Sequence, residues 1–379
     1  MRIGIDARLY GLEHAGLGRY VSKLIETVLK ADTKNKYTLF LTGKHAEAFK
    51  NRKRVKVVVC NIPIYSFGEQ LLLPWVFHKE KLDLLHIPHF NAPLLYPGKY
   101  LLTIHDLIKH DSTGMATTTR QPFLYLIKRL GYLFLTGLIV KRAKAIIVPS
   151  NFVKEDVAKR LKVDKTKIVV TYEAVANTFQ KTTLSTKEKK ELLAKYSLTQ
   201  PFIIYTGSVY PHKNVDILIE AVARHNRLRE VDLELALVCS RSVFYDRTNQ
   251  KIKEQGLGHW IKMLGFVGDS DISKLYSLAL ALVHPSKMEG FGLTGLEAMS
   301  VGLPVISSNA GCLPEVYGEA ALFFNPNQVD DLVASLDELI RNAGLREDLI
   351  ARGYLQVKKY SWEKMATETI AVYNRILKP

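Results

Sequence analysis

The sequence predicts an α/β protein with two parallel β-sheets, each flanked by helices. Three observations support this prediction. The chain of 379 residues is too long for one compact core, so two domains are expected. Short apolar runs alternate with helical patterns, as parallel βαβ units require. A polar, lysine-rich stretch at 181–195 interrupts the alternation, which restarts after Pro201.

In residues 1–180, seven apolar runs of strand length predict the first parallel sheet. These predicted strands are Ile3–Ile5, Tyr37–Leu41, Val55–Val59, Leu84–Ile87, Leu101–Ile104, Ala145–Val148 and Ile168–Val170. Apolar residues at helical spacing predict helices over Gly18–Lys30 and Lys154–Leu161. Residues 1–180 are therefore assigned to one domain.

Residues 181–200 are predicted to be a linker, and residues 201–361 a second domain with the same alternation. Its predicted strands are Phe202–Thr206, Glu234–Cys239, Ile261–Leu264, Ala281–His284, Val305–Ser307 and Ala321–Phe323. Its predicted helices are Val215–Val222, Ser270–Tyr276, Thr294–Ser300, Gln328–Asn342 and Leu345–Lys358. A last amphipathic helix is expected within 362–379.

Charge is distributed unevenly between the two halves. Residues 1–180 contain 29 lysines and arginines against 14 acidic residues, a net charge of +15, whereas the rest of the chain carries a net charge of +1. Such a field attracts a polyanion or an anionic membrane surface, although scattered basic residues on a solvated surface would give the same count. Three widely spaced cysteines predict buried thiols in a reducing cytoplasm, and no secretory signal is expected at Met1.

The most apolar stretch is 123–140, which contains Lys128 and Arg129 and is followed by Lys141 and Arg142. Those charges make it a poor membrane-spanning helix. It is expected to be either a buried helix of the first domain or an amphipathic helix that lies on a membrane or lines an acceptor cleft.

The segment Glu289 to Glu297 places two carboxylates on either side of a glycine-rich turn between a strand and a helix. Such a turn directs backbone N–H groups and a helix N-terminus at an anion, most often a phosphate. Each carboxylate can accept paired hydrogen bonds from a diol. Together they predict a site for a nucleotide-sugar. In the structural alternative, Thr294 and Glu297 form a helix capping box and Glu289 is a solvated loop acid.

Four further features follow predicted strands, at the edge where open α/β sheets bind ligands. The turn at Gly16 and Gly18 could approach a phosphate or a sugar, or could be an ordinary tight turn. His105 could bind a substrate hydroxyl, or could be structural. The loop 207–214 ends near Lys213, a point charge suited to a diphosphate or merely a surface lysine. Backbone groups at 265–267 could contact a nucleobase.

These motifs jointly resemble the retaining glycosyltransferases of family 4, which have the GT-B fold, and the resemblance spans essentially the whole chain. The matching motifs are Glu289-x7-Glu297, Pro285-Ser286 to Ala298-Met299, Gly302-Leu303-Pro304-Val305, Leu313-Pro314-Glu315-Val316, Gly207 to Asn214, Leu264 to Val267, Val148-Pro149-Ser150, Thr103 to Leu107 and Tyr360-Ser361-Trp362. One departure is Ser208, because the family usually has an arginine directly after the glycine of the phosphate loop.

The resemblance implies two Rossmann-like domains facing across a cleft, with the C-terminal helix crossing back to the N-terminal domain. The N-terminal domain would bind the acceptor and the C-terminal domain the nucleotide-sugar. His105, Lys213 and Glu289 would be catalytic. Positions that would bind the donor are Gly16, Gly18, Gly207, Ser208, Gly265, Phe266, Val267, Phe291, Gly292, Leu293, Thr294 and Glu297.

The implied reaction moves a hexose, with retention of anomeric configuration, to a glycan or lipid-linked glycan. Lys213 and the helix N-terminus would stabilise the leaving diphosphate, and no Asp-x-Asp metal motif is expected, so no metal is predicted. No cofactor is expected beyond the donor, which would be GDP-mannose or UDP-glucose. Mannose is favoured because the segment from His86 to Asp106 resembles that of polysaccharide mannosyltransferases. The expected location is the cytoplasm, with peripheral binding to the inner face of an anionic membrane.

Three other functions were weighed. A binding protein on an inactive transferase scaffold is disfavoured because Glu289, Lys213 and His105 are all present. A nucleic-acid binder is indicated only by charge, without a basic motif interleaved with aromatic residues. An NAD-dependent dehydrogenase would need a GxGxxG motif followed by an acidic residue about 20 positions on, which the first glycine cluster lacks.

The two carboxylates are expected to respond differently to substitution. Glu297→Ala should weaken nucleoside diphosphate binding by roughly 1 to 3 kcal/mol, since it removes a charged acceptor of the ribose hydroxyls. Glu289→Ala should slow turnover while leaving nucleoside diphosphate binding nearly unchanged. Calorimetric titration of both variants tests this pair. Normal binding by both, with a loss of thermal stability alone, would contradict the prediction.

Overall fold

The computed structural model describes residues 1–11, 15–111, 122–228 and 232–378. It divides into two compact units. The first contains Met1–Glu173 and Ser361–Pro379, and the second contains Ala174–Tyr360.

Within the described residues, strands and helices alternate along most of the chain. The strands are β1 (Arg2–Asp6), β2 (Lys36–Leu41), β3 (Val55–Val59), β4 (Leu84–Ile87), β5 (Tyr100–Thr103), β6 (Ala145–Val148), β7 (Ile168–Val170), β8 (Phe202–Thr206), β9 (Glu234–Val238), β10 (Ile261–Gly265), β11 (Leu282–His284), β12 (Val305–Ser308) and β13 (Ala321–Phe324). The α-helices are α1 (Ala15–Ala31), α2 (Gly43–Ala46), α3 (Phe67–Leu71), α4 (Leu73–Lys79), α5 (Ile108–Asp111), α6 (Pro122–Arg142), α7 (Asn151–Leu161), α8 (Thr186–Tyr196), α9 (Val215–Leu228), α10 (Val243–Glu254), α11 (Asp269–Tyr276), α12 (Leu293–Ser300), α13 (Leu313–Tyr317), α14 (Val329–Arg341), α15 (Ala343–Val357) and α16 (Trp362–Leu377).

Each unit has its own parallel sheet. In the described part of the chain, the first sheet has the order β3-β2-β1-β4-β5-β6-β7 and the second the order β10-β9-β8-β11-β12-β13. Every predicted strand overlaps an observed one. The strands β4, β5, β6 and β9 are buried along their whole length, because helices cover both faces of a parallel sheet. The prediction of two parallel α/β domains is confirmed.

The last helix, α16, belongs to the first unit, where it packs against α1. A chain of buried hydrogen bonds joins it to the sheet. The Tyr373 hydroxyl lies 2.7 Å from His86 Nδ1, and His86 Nε2 lies 2.8 Å from Thr103 Oγ1. Thr103 Oγ1 also lies 3.2 Å from the Tyr20 hydroxyl of α1. Two helices and two strands therefore share one polar network in an otherwise apolar core.

The described part of α6 has one buried and one exposed face. Thr136, Ile139 and Val140 are buried, whereas Phe134 and Leu138 are exposed. The side chains of Lys128 and Arg129, which belong to the apolar stretch 123–140, lie outside the described residues. Among the helices that the structure describes, none combines the length and the apolarity that a membrane crossing requires.

Two boundaries differ from those expected. The first unit ends at Glu173 and not at residue 180, and the segment 181–200 contains α8, which lies within the second unit. The reason is local: Ser185 and Glu188 form a complete capping box that starts α8. At the other end of α8, Lys195 Nζ and the Tyr196 hydroxyl each donate to Asp271 Oδ2 at 2.7 Å. These polar contacts hold a helix in a stretch whose composition indicates a linker.

The buried network of the first unit predicts a loss of stability in acid. Burial, with a smaller contribution from His105, lowers the pKa of His86 from 6.5 to about 3. Below pH 6.5 the unfolded chain takes up a proton at this position and the folded chain does not, so the free energy of unfolding should fall by roughly 1.4 kcal/mol per pH unit. This loss begins below pH 6.5 and continues towards pH 3.

Denaturant unfolding at pH 7.0 and pH 5.5 measures the effect. The pH dependence of the unfolding free energy should become shallower in His86→Gln and stay unchanged in His78→Gln, because the His78 side chain is exposed. Equal pH dependence in wild type and His86→Gln would contradict the assignment. The test compares the change in unfolding free energy between the two pH values. A destabilisation that is the same at both pH values therefore does not affect it.

Candidate functional site

Glu289 is the centre of a buried polar cluster in the second unit. Its Oε1 atom accepts from Lys213 Nζ at 2.6 Å and from Ser286 Oγ at 2.7 Å, and it lies 2.9 Å from His284 Nε2. A carboxylate only accepts hydrogen bonds, so Nε2 carries the proton of that bond. All three donors converge on Oε1, and none of these bonds occupies Oε2.

This cluster forms because parallel strands bring their carboxyl ends to the same edge of the sheet. Lys213 follows β8, Glu289 follows β11, and Tyr317, which contacts His284, follows β12. These strands are neighbours in the order β8-β11-β12. Residues far apart in sequence therefore meet at the end of three adjacent strands.

Backbone contacts fix the loops that carry Lys213 and Glu289. Lys287 N–H donates to the carbonyl of His212 at 2.8 Å, which joins the two loops directly. Asn214 adopts a left-handed conformation with φ 57°, which asparagine tolerates better than most residues. Its Nδ2 donates to the carbonyls of Pro285 and Pro326 at 3.1 and 2.8 Å. The ammonium group of Lys213 is thus held in place by its own loop and by its neighbour.

Electrostatics keep Glu289 ionised. Burial by itself would raise its pKa, but the charge of Lys213 and the hydrogen bond from His284 outweigh burial and hold the pKa of Glu289 well below its ordinary value. Burial, together with the nearby charge of Glu289, raises the pKa of Tyr317 well above its ordinary value. At neutral pH the cluster therefore contains an anionic carboxylate and a neutral phenol.

Tyr317 connects this cluster to the start of α12. Its hydroxyl lies 2.7 Å from His284 Nδ1, donates to the Gly292 carbonyl at 2.6 Å and accepts from Gly295 N–H at 3.2 Å. A Cβ atom at position 295 would lie only 2.2 Å from Tyr317 Cζ, so a glycine is required there. The tyrosine thereby sets the distance between the carboxylate cluster and the helix N-terminus.

Helix α12 begins at Leu293 with Gly292 at its N-cap, in a left-handed conformation with φ 89° and without a side-chain cap. Thr294 lies inside the first turn, where its Oγ1 is 3.4 Å from His284 Nδ1. The capping-box alternative for Thr294 and Glu297 is therefore wrong. The first N–H groups of a helix lack intrahelical acceptors, so Leu293 and Thr294 present donors suited to an anion.

The other predicted donor-binding residues of the phosphate loop lie at the same sheet edge. Gly207 follows β8 with φ 154°, and a Cβ atom there would lie 2.9 Å from the Tyr205 hydroxyl. That hydroxyl donates to the Ser208 carbonyl at 2.5 Å. This hydrogen bond holds the loop in place, and the residue directly after its glycine, Ser208, carries no charge.

The remaining predicted residues of the second unit occupy three further places. Gly265 ends β10, the edge strand, and is followed by Phe266, which is 80% exposed, and by buried Val267. Phe291 packs edge-on against Tyr360 with ring centroids 5.5 Å apart. Glu297 is only 3% exposed. Its role as a ribose ligand stays a prediction.

One Asp-x-Asp tripeptide, Asp269-Ser270-Asp271, occurs in the chain, and the sequence-based expectation of a metal-free site did not take it into account. It lies at the start of α11. Hydrogen bonds from Lys195 and Tyr196 hold the pKa of Asp271 below its ordinary value. Both of these donors belong to α8, so Asp271 attaches α8 to α11.

In the first unit, His105 lines a cavity of about 570 Å³ together with Asp106, Leu17, Tyr65 and Phe90. His105 Nδ1 lies 3.1 Å from Glu173 Oε1, and its ring packs edge-on against Tyr20 at 4.5 Å. Among the described residues, no partner lies within hydrogen-bonding distance of the buried His105 Nε2. A ligand in the cavity could supply that partner.

The predicted glycines of the first unit lie in the first turn of α1, which begins at Ala15 and not at Gly18. Gly18 is buried. Gly16 is exposed, and a Cβ atom there would meet nothing within 4 Å. Gly16 therefore has no steric reason, within the described residues, to be a glycine.

Four residues of these clusters were not predicted from the sequence. His284 is the last residue of a predicted strand and Ser286 follows it, so the strand-end signal that identified His105 also applied to His284. Glu173 lies three residues beyond β7 and had the same kind of signal. Tyr317 had no such signal, because a tyrosine in an apolar helix is indistinguishable in sequence from a core residue.

Comparison with known proteins agrees with this arrangement. Residues 187–356 match the family described as Glycosyl transferases group 1, and residues 15–177 match Glycosyltransferase Family 4. O-antigen chain mannosyltransferase B of Escherichia coli is 29% identical over 94% of this chain and 95% of its own length.

Two solved structures share the fold. A glycosyltransferase from Rickettsia africae is 20% identical, with a TM-score of 0.74, over 100% of this chain and 98% of its own. HepE of Anabaena, solved in complex with UDP and glucose, is 17% identical, with a TM-score of 0.73, over 98% of this chain and 99% of its own. Both comparisons cover the two units.

Glu173 is expected to act through His105, as a positioning residue. Glu173→Gln should lower kcat for glycosyl transfer about tenfold and leave nucleoside diphosphate binding unchanged, because the amide fixes the ring orientation less firmly than a carboxylate. Glu155→Gln, an exposed substitution in the same unit, is the matched control. Adding Glu173→Gln to His105→Ala should cause little further loss. Fully additive losses would show that the two residues act independently.

Proposed function

The chain is a glycosyltransferase with the GT-B fold, composed of a family 4 domain followed by a group 1 domain, and we propose that it transfers mannose from GDP-mannose with retention of configuration. The observation that carries this proposal is the cluster in which Glu289, Lys213 and the N-terminus of α12 lie together. It combines an ionised acceptor for sugar hydroxyls with a cation and backbone donors for a diphosphate.

The proposed reaction breaks the bond between the anomeric carbon and the diphosphate oxygen. Negative charge grows on the leaving diphosphate while the sugar gains oxocarbenium character. Lys213 and the N–H groups at the start of α12 would stabilise that negative charge, as fixed charges and dipoles do for other leaving groups. The leaving phosphate would accept the proton of the attacking hydroxyl. Transfer would then proceed without a metal ion.

Lys213 has a second task in this proposal. It forms an ion pair with Glu289 at 2.6 Å, with both side chains largely buried. A bound diphosphate would draw the ammonium group towards its own oxygens. His284 and Ser286 would then keep the Glu289 carboxylate satisfied, so that it could accept from hydroxyls of the donor sugar. The site tolerates this exchange because Glu289 has more than one donor.

Mannose is the favoured donor sugar because the E. coli relative, aligned over 94% of this chain, is an O-antigen chain mannosyltransferase. UDP-glucose is the second candidate, since HepE, which shares the fold, binds UDP and glucose. For the acceptor we propose a glycan or a lipid-linked glycan, bound by the first unit at an anionic membrane surface. The net charge of +15 in residues 1–180 supports this part of the proposal.

A thermal-shift panel of GDP-mannose, UDP-glucose, ADP-glucose and dTDP-glucose tests the donor. Binding stabilises the folded state by about 2.7 kcal/mol when the ligand is at 100 times its Kd, so GDP-mannose should raise Tm most. The increase should vanish in Lys213→Ala and persist in Lys253→Ala, a matched lysine on α10. A larger increase with UDP-glucose would select glucose, and no increase with any donor would overturn the function.

Transfer assays with the donor so identified test the finer points. The rate should be unchanged by EDTA, and nuclear magnetic resonance of the product should show the anomeric configuration of the donor. Reversible loss of activity on chelation would contradict metal independence. An inverted product would contradict retention and leave the donor assignment intact.

A further inference from the structure

The helix pair α3–α4 of the first unit is apolar on two opposite faces. Its inner face is buried, with Leu73 and Phe77 at 0% exposure in the apolar core. Four large apolar side chains nevertheless remain exposed: Phe67 at 89%, Leu71 at 68%, Leu72 at 60% and Trp75 at 66%. A surface helix is ordinarily polar on its outer face, so this pair is unusual.

Three of these side chains form one row with Lys79. Phe67, Leu71, Trp75 and Lys79 follow each other at intervals of four residues. Leu72, between α3 and α4, keeps a right-handed helical conformation, so this spacing favours one side of the helical path. Lys79 Nζ lies 4.1 Å from the Trp75 ring centroid. A tryptophan beside a lysine is typical of groups at a membrane interface, where the ring is partly in the acyl layer and the charge stays among the headgroups.

A neighbouring segment extends this surface. Gln70 Nε2 donates to the Ala92 carbonyl at 3.2 Å, and Leu94 N–H donates to Gln70 Oε1 at 3.0 Å. These bonds hold the segment 92–95 beside α3, and Leu95 is 66% exposed. We call Phe67, Leu71, Leu72, Trp75 and Leu95 the apolar ridge.

The charges around the ridge favour an anionic occupant. Between residues 61 and 79 the single acidic residue is Glu69, which is buried and paired with Arg8 at 2.7 Å. Exposed His78, Lys79 and Lys81 follow at the end of the ridge. The acidic residue among them, Glu80, forms an ion pair with Lys56 Nζ at 2.6 Å. Basic residues near a negatively charged bilayer add to its attraction, and apolar side chains insert into the same boundary.

The ridge also adjoins the cavity that contains His105. The chain segment 61–65 lines that cavity and leads directly into α3. His89 and Phe90, which directly precede the segment 91–95, line the same cavity. A surface that binds lipid through the ridge would therefore adjoin two segments that line this cavity.

We propose that the apolar ridge docks on an anionic bilayer, with Phe67, Leu71 and Trp75 inserted into the interface, and so places the His105 cavity where a lipid-linked acceptor can enter it. The nature of the acceptor in this proposal rests on the proposed function. The docking of the ridge on a bilayer does not depend on that function. It assigns the principal contact to α3–α4, whereas the sequence indicated the stretch 123–140.

Flotation of the full chain with vesicles of phosphatidylcholine alone, or with about 30% phosphatidylglycerol to give an anionic surface, tests the docking. Binding is expected only with the anionic vesicles and should weaken with salt. The double variant Leu71→Ser/Trp75→Ser should lower the partition coefficient about tenfold or more, because two exposed apolar groups are lost. The matched control is Leu228→Ser/Leu355→Ser, at two exposed leucines of the second unit.

Tryptophan emission gives a direct readout of insertion. Trp75 is exposed, whereas Trp362 is buried and Trp260 is in the second unit. Anionic vesicles should shift the emission to shorter wavelength, and Trp75→Phe should abolish the shift while vesicle binding persists. Binding lost in Phe134→Ser but retained in the ridge variant would overturn the proposal, as would binding to neither vesicle. Light scattering that shows ridge-dependent dimers without vesicle binding would assign the surface to a second copy of the chain.

The two proposals fail in distinguishable ways. The ridge variant changes no residue of the donor cluster or of the cavity, so stabilisation by a nucleotide-sugar should be the same as in wild type. Normal donor binding with unchanged vesicle binding in that variant would reject the ridge and keep the glycosyltransferase. Normal vesicle binding without any response to donors would reject the proposed donor site and keep the ridge.

Discussion

In the second unit, one buried negative charge governs the arrangement of the loops around it. The carboxylate of Glu289 can be buried because Lys213, His284 and Ser286 donate to it. Those donors come from two loops of the sheet, and His284 extends the cluster to Tyr317 and from there to the start of α12. Satisfying this charge therefore places the cation, the carboxylate and the helix N-terminus at mutually fixed positions. The same groups are the ones a sugar diphosphate requires.

In the first unit, a buried titratable side chain is satisfied by neutral groups. His86 lies at the centre of its core and keeps a low pKa because burial disfavours the charged imidazole. Hydroxyl groups of Thr103 and Tyr373 satisfy its two nitrogens, so helix α16 is bound to the sheet by a polar contact as well as by packing. The strand that carries Thr103 also leads to His105. The polar network that anchors the last helix through His86 of β4 therefore also includes β5, the strand that His105 follows.

Site residues that belong to a recognisable loop motif could be predicted from the sequence. Site residues that stand outside such a motif could not. Glu289 and Lys213 were identified because glycine-rich loops after strands are recognisable, and the structure brings the two into contact. Tyr317 was not predicted, although it directly follows the matching motif Leu313-Pro314-Glu315-Val316, because a tyrosine in an apolar helix has the pattern of a core residue. The polar composition of α8 predicts a linker, although Ser185 and Glu188 carry a start signal for a helix. The alternative in which Thr294 caps α12 was reasonable from spacing and wrong in structure, because Gly292 in a left-handed conformation begins the helix instead.

The sequence by itself determined the two parallel sheets, their strands and the uneven charge, because alternation of apolar runs and helical patterns is a local property of the chain. Only the tertiary structure decided which side chains meet. His284 meets Tyr317, and Glu173 meets His105, because the strands of one parallel sheet end at the same edge. This is a relation between distant segments of the chain. The exposure of individual side chains likewise depends on the tertiary structure. Leu71 and Leu73 are the same residue type two positions apart, yet one is exposed and the other is buried, because the core lies on only one side of α3–α4.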